Sequence, residues 1–155
     1  MVCGILHEEG EKRMIYTPLT KLAMELCLSA HRDQTDKGGY PYAFHPIHLA
    51  EQMTDEYSVI VALLHDVAED TSFTIEKLSA MGFPPPVMTA LELLCHDPAV
   101  PYLDYVAALK HDPIARQVKL ADLRHNSDTS RLPELDEQGR VRLAKYRSAI
   151  ALLEE

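Results

Sequence analysis

No run of about 18 consecutive apolar residues occurs in this 155-residue sequence, so no segment has the makings of a helical membrane span. Cysteine is scarce. Cys3, Cys27 and Cys95 are odd in number, far apart and without a CxxC pair, which excludes a disulfide framework or a zinc knuckle and points to free thiols in a reducing compartment. Positive charge is also short: the formal net charge of −9 argues against general binding to DNA, RNA or an anionic membrane. It leaves room for a small anionic ligand, which responds to the local field of its pocket. Residues 1–10 are acidic and lack a basic stretch followed by an apolar one, so no secretory signal is expected and a cytoplasmic protein is. Internal repeats, low-complexity tracts and long linkers are missing as well. With 46% hydrophobic and 25% charged residues, the composition is that of an ordinary globular protein. A single domain over 1–155 is expected, with a core over about 17–131 and a C-terminal helix over about 134–153.

Strand-like alternation is essentially absent, and the fold class expected is all-α, a compact helical bundle. Leu19, Leu22, Ala23, Leu26 and Ala30 recur at three- and four-residue spacing, the stripe of an amphipathic helix. A loop follows over about 36–44, and Pro46 is expected at the first position of a second helix. A third helix spans about 57–70, and Thr74 reads as the N-cap of a short fourth ending at Gly82. Pro84-Pro85-Pro86 forces a break before a fifth. Later helices are expected over about 102–110, 113–130 and 134–153. The last packs either on the core or on a second copy of the chain, and the sequence leaves both open.

The segment VIVALLHDVAED (59–70) carries the most chemistry. At 100° per residue, Ile60, Leu63, Leu64 and Val67 gather on one face, with His65, Asp66 and Glu69 opposite and Asp70 at the edge. A surface rich in acids would explain that polar face on a hydrophilic helix. Val59, Val61 and Ala62, however, extend apolar character around this one, and a helix apolar nearly all round is usually buried. Ionisable groups there need partners or a metal. His31, at the end of the first helix, would alone be more often structural than a ligand. Asp122 and Asn126 lie one turn apart on a helix that Val118, Leu120, Ala121 and Leu123 make largely buried, so Asp122 also needs compensation. Four clustered carboxylates (Asp66, Glu69, Asp70, Asp122) favour a bound cation over an empty pocket.

The stretches AHRDQTDKGGYPYAFHPIHLA (30–50), ALLHDVAEDTSFTIEKL (62–78) and VKLADLRHN (118–126) together resemble the HD superfamily of metal-dependent phosphohydrolases. Within it the chain is similar to the hydrolase domain of the Rel and SpoT alarmone enzymes and to stand-alone small alarmone hydrolases, the similarity spanning roughly 19–131. HD alone is a weak signal. The ordered set, with a Glu-Asp pair just after HD, is more specific. The resemblance implies an HD helical bundle and Mn²⁺-dependent (or other divalent-metal-dependent) cleavage of the 3′-diphosphate of ppGpp or pppGpp. The products would be GDP or GTP and pyrophosphate. It places His31, His65, Asp66 and Asp122 as metal ligands, a mixed N/O set suited to an Mn²⁺-type ion. It gives Glu69 and Asp70 the handling of the attacking water and Asn126 a nucleotide contact. His45, in the HP element, would support the ligands or the fold. With no synthetase-like region following, a stand-alone hydrolase is expected.

Two departures from the family remove positive charge. Asp128 stands two residues after the matching Asn, where an Arg is usual, and Lys21 is the basic residue left near Leu22 and Ala23 in the first helix. Lys21, Arg32, Lys119 and Arg124 are the candidate substrate contacts, with Lys37 and Arg131 as further cations; taken singly, such a residue reads more readily as ordinary surface charge. Two other functions stay open: an HD phosphohydrolase acting as a phosphomonoesterase on another nucleotide, and a non-catalytic nucleotide sensor.

Overall fold

In the computed structural model, described here for residues 14–130, 132 and 134–155, the chain forms α1 (Pro18–Ala30), α2 (Phe44–Glu51), α3 (Glu56–Asp70), α4 (Ile75–Ala80), α5 (Pro85–Leu94), α6 (Tyr102–Leu109), α7 (Pro113–Asn126) and α8 (Glu137–Glu154). The side chain of Asp70 is not among those described. Arg131, Cys3 and the segment 1–10 also lie outside the described residues. Among the described residues the extended structure amounts to one antiparallel bridge, Thr35 with Pro41, so the fold is all-α. No described helix is long and apolar enough to cross a membrane.

The axis of the fold is α3. Residues 59–64 and Val67 are fully buried, and α1, α2, α5 and α7 pack around the helix. An element apolar on every side folds only when neighbours cover each of its faces. Each fully buried leucine or valine contributes about 1.5–3 kcal/mol. The ends are fixed by side chains that satisfy the first free N–H groups. Asp55 accepts from Ser58 N in α3, Asp112 from Ala115 N in α7, Asp136 from Gly139 N in α8, and Thr74 from Lys77 N in α4. Thr17 and Thr20 cap α1 reciprocally, and Thr17 Oγ1 donates to Glu56 Oε1 at 2.6 Å, tying α1 to α3.

The structure corrects three boundaries. The second helix begins at Phe44 rather than at Pro46, which sits at its third position; proline is tolerated there because that N–H lacks a helical partner anyway. The seventh ends at Asn126 rather than 130, where Ser127 Oγ donates back to Leu123 O at 2.7 Å. The eighth starts at Glu137, after the Asp136 cap. The expected loop before α2 is a tight hairpin. Asp36 Oδ1 accepts from Gly38 N (2.8 Å) and Tyr40 N (3.0 Å), Gly39 takes φ +83°, and Tyr42 N donates to Gln34 O at 2.9 Å. Glycine reaches that left-handed φ without steric cost, and the hairpin delivers Tyr42 to the centre of the molecule.

Candidate metal centre and adjoining cavity

Helices α2, α3 and α7 each bring one buried polar residue to a common point. His45, His65 and Asp122 offer donor atoms that all lie within 4.8 Å of one another. His45 Nε2 is 3.1 Å from Asp122 Oδ1 and 3.6 Å from Asp66 Oδ2, and His65 Nε2 is 3.1 Å from the same Asp66 oxygen. Asp66 therefore belongs to the group, and Tyr42 Oη donates to its Oδ2 at 2.5 Å. Asp122 is held by Lys119 Nζ at 2.9 Å and Asn126 Nδ2 at 2.6 Å.

The histidines are oriented from behind. His65 Nδ1 donates to Ala62 O at 2.7 Å, and His31 Nδ1 to Gln34 Oε1 at 2.7 Å. With the proton on Nδ1, the Nε2 of a neutral imidazole presents a lone pair. Both Nε2 atoms are buried and make no hydrogen bond; the approach of His65 to Asp66 is close but misaligned for one. Buried polar nitrogens are normally satisfied, and for His65 Nε2, with His45 Nε2 and the two carboxylates beside it, a divalent cation is the group that fits; His31 Nε2 lies outside that group.

The field at this point favours cations. Burial opposes a charge on His65, but Asp66 and then Asp122 outweigh it and lift the imidazole to about 9. Burial would raise the carboxyl of Asp66, and the His65 ring overrides it, holding it at about 2. Asp122 is likewise held below the usual carboxylate range, its burial outweighed by Lys119 and the histidines. The same two carboxylates that favour a proton on His65 would favour a divalent cation in its place.

The remaining expected residues fall in different places. His31 lies one ring away, its centroid 5.0 Å from that of Tyr42. Glu69 is exposed one turn beyond Asp66 and accepts from His96 N at 3.4 Å. Lys119 is sunk beneath the centre, 6.0 Å from the Tyr102 ring centroid and 5.6 Å from that of Tyr105. Lys21 and Arg32 are exposed, and Arg124 pairs on the surface with Glu154 at 2.6 Å.

A cavity of about 170 Å³ adjoins the centre, reached by Tyr42, His45 and Asn126. Its cations are Lys37 and Arg142, and its acids are Asp36 and Asp128. Tyr146 and Leu132 supply apolar wall. Sequence reasoning missed Tyr42, Arg142, Tyr146 and His125, whose Nδ1 lies 2.7 Å from His45 Nδ1. Arg142 and Tyr146 are one turn apart on α8, a spacing that pairs side chains on any helix and so gave no distinctive signal.

The geometry is that of an HD-type helical domain with a His/Asp group able to hold a divalent metal. No protein-family model matches the chain. It is 31% identical over 134 residues to a probable GTP pyrophosphokinase of Mycobacterium leprae (strain TN), covering 79% of this chain and 17% of that protein. It is 37% identical over 81 residues to the guanosine-3′,5′-bis(diphosphate) 3′-pyrophosphohydrolase of Aquifex aeolicus (strain VF5), covering 47% of this chain and 12% of that one. The chain spans less than a fifth of the length of the curated relatives it matches. A solved metazoan orthologue of SpoT, described as hydrolysing ppGpp and acting in starvation responses, superposes with a TM-score of 0.74 at 22% identity, over 90% of this chain and 87% of that one. Sequence and fold agree: the chain is a Rel/SpoT-like HD domain.

Proposed function

We propose that this chain hydrolyses the 3′-diphosphate of guanosine alarmones such as ppGpp, releasing pyrophosphate and leaving a free 3′-hydroxyl, in the cytoplasm and with Mn²⁺ as its cation. The observation that carries this reading is the convergence of two imidazole Nε2 atoms and two carboxylates, from three helices, at the wall of a cavity. His45, His65, Asp66 and Asp122 would hold the cation, and His31, expected as a ligand, packs on Tyr42 one ring away. When bound, the cation polarises a phosphate oxygen and supplies hydroxide near neutral pH.

The chain's own residues do the rest. Tyr42 fixes Asp66 and Lys119 fixes Asp122, so the carboxylates present set oxygens to the centre. Asn126 bridges centre and cavity. Tyr42 and Tyr146 offer aromatic surface to a base, and Lys37 and Arg142 offer charge to its phosphates. Glu69 and Asp70, one turn past the HD pair, would accept the proton of the attacking water. The names of the relatives, a guanosine-3′,5′-bis(diphosphate) 3′-pyrophosphohydrolase among them, support the choice of substrate.

One observation favours a second reading. Asp36 and Asp128 offset Lys37 and Arg142 in the cavity, so a nucleotide with fewer phosphates would also fit its charge balance. The test is to incubate metal-stripped protein with ppGpp, with and without Mn²⁺, and to resolve the products by anion exchange. Mn²⁺-dependent formation of GDP and pyrophosphate is expected. Intact ppGpp beside a demonstrably bound metal would transfer the reading to nucleoside monophosphates, assayed in the same way.

A further inference from the structure

Three imidazoles around the centre are oriented through Nδ1, but their partners differ in kind. Ala62 O is a carbonyl that only accepts, so it fixes the proton of His65 on Nδ1, and Gln34 Oε1 accepts likewise from His31. His45 Nδ1 meets another imidazole nitrogen, His125 Nδ1, at 2.7 Å. Either ring could donate. If His125 donated, His45 would carry its own proton on Nε2, pointing at Asp122 and Asp66 and blocking that nitrogen as a ligand.

We propose that His125 is a positioning residue for the metal ligand His45: with its own proton on Nε2, it accepts the Nδ1 proton of His45 and so leaves the His45 Nε2 lone pair facing the cation. The inference rests on the metal centre proposed above. The geometry supports it from two sides. The two rings lie 21° from parallel with centroids 4.9 Å apart, and His48 covers the other histidine contact of His125 at 4.6 Å, so the ring is held in place. His125 also follows Asp122 on α7 by three residues, so one helix places both a ligand and the orienter of another ligand. Partners behind a metal-bound histidine characteristically change metal affinity by about 10- to 100-fold.

The test uses the full chain, stripped of metal and titrated with Mn²⁺ in a calorimeter, as wild type, His125→Asn and His125→Phe. Asparagine places an accepting oxygen near the position of Nδ1 but removes the ring; phenylalanine keeps a ring and removes the acceptor. Affinity is expected to stay within about 3-fold in His125→Asn and to fall about 10-fold or more in His125→Phe. The opposite order would mean that the ring only packs, and would overturn the proposal, as would unchanged affinity in His125→Phe. A second readout needs no substitution: the wild type is loaded with diamagnetic Zn²⁺, so that a cation stands between His45 Nε2 and the Asp122 carboxylate 3.1 Å away. Its imidazole ¹⁵N–¹H correlation spectra should then show His45 protonated on Nδ1 and His125 on Nε2, and the reverse pattern overturns the proposal. A wild type that binds no Mn²⁺ would instead remove the metal centre itself, and this inference with it.

Discussion

Lys119 is a lysine with very little water, its side chain 13% exposed and its ammonium set against two tyrosine rings. Burial pushes its pKa down, yet Asp122 outweighs that and raises it above the ordinary lysine value. Removing one member of such a pair leaves the other charge buried and uncompensated. Lys119→Met is therefore expected to destabilise the metal-stripped protein by about 2–4 kcal/mol in urea unfolding. Saturating Mn²⁺ should narrow the gap, because the cation then compensates Asp122. Equal destabilisation with and without Mn²⁺ would separate Lys119 from the metal centre. At the same scale, burial and then the charge of Asp66 push the Cys27 thiol up to about 12. At pH 8 a thiol raised that far is thiolate in about one molecule in ten thousand. Native protein treated with iodoacetamide should be modified at the half-buried Cys95 well before Cys27, as peptide mass spectrometry would show. Comparable rates would mean that the α1–α3 packing opens readily.

Among the elements, α3 has the least tolerance for change, since it presents no face to water over residues 59–67. Leu64→Ala should cost about 2–5 kcal/mol, measured by urea unfolding. The exposed cap Asp136→Ala should cost about 1 kcal/mol. A Leu64→Ala cost as small as that of the cap variant would contradict the central position of α3. The burial of α3 was legible because an apolar run with polar residues at 65, 66 and 69 has one economical explanation. The capping residues Thr74 and the proline break before α5 were legible for similarly local reasons. The place of His45 was not. A histidine in the first turn of a short helix has the same local signature whether it faces solvent or a distant helix, and its partners, His125, Asp122 and Asp66, are far along the chain. Pro46 misled for a related reason: proline suits any early helical position, so it marks a start only to within a turn. The contribution of α8 to the cavity was illegible because Arg142 lies on a helix whose polar residues otherwise read as a solvated face.

For the molecule as a whole, the proposed ligands tie α2, α3 and α7 together, so metal occupancy should register as global stability. At a free Mn²⁺ concentration 100 times its dissociation constant, binding to the folded state alone adds about 2.7 kcal/mol, or roughly 5–10 °C in melting temperature for a chain of this size. Scanning calorimetry of metal-stripped protein, before and after Mn²⁺, checks this; an unmoved transition would mean that no cation clamps the three helices.

The proposed ligands end with Asp122 on α7, whereas Arg142 and Tyr146 enter the cavity from α8, beyond the turn that follows Asn126. The last stretch of the chain thus adds Arg142 and Tyr146 to a recognition surface that Lys37 and Tyr42 begin ahead of the ligands. A lineage could rewrite the cavity-facing positions of the last helix, and with them part of what the molecule recognises, while keeping the buried Ala149 and Leu153 and the bond-breaking apparatus they support. Exchanging Arg142 and Tyr146 for the residues of a relative would be a small step that re-addresses it.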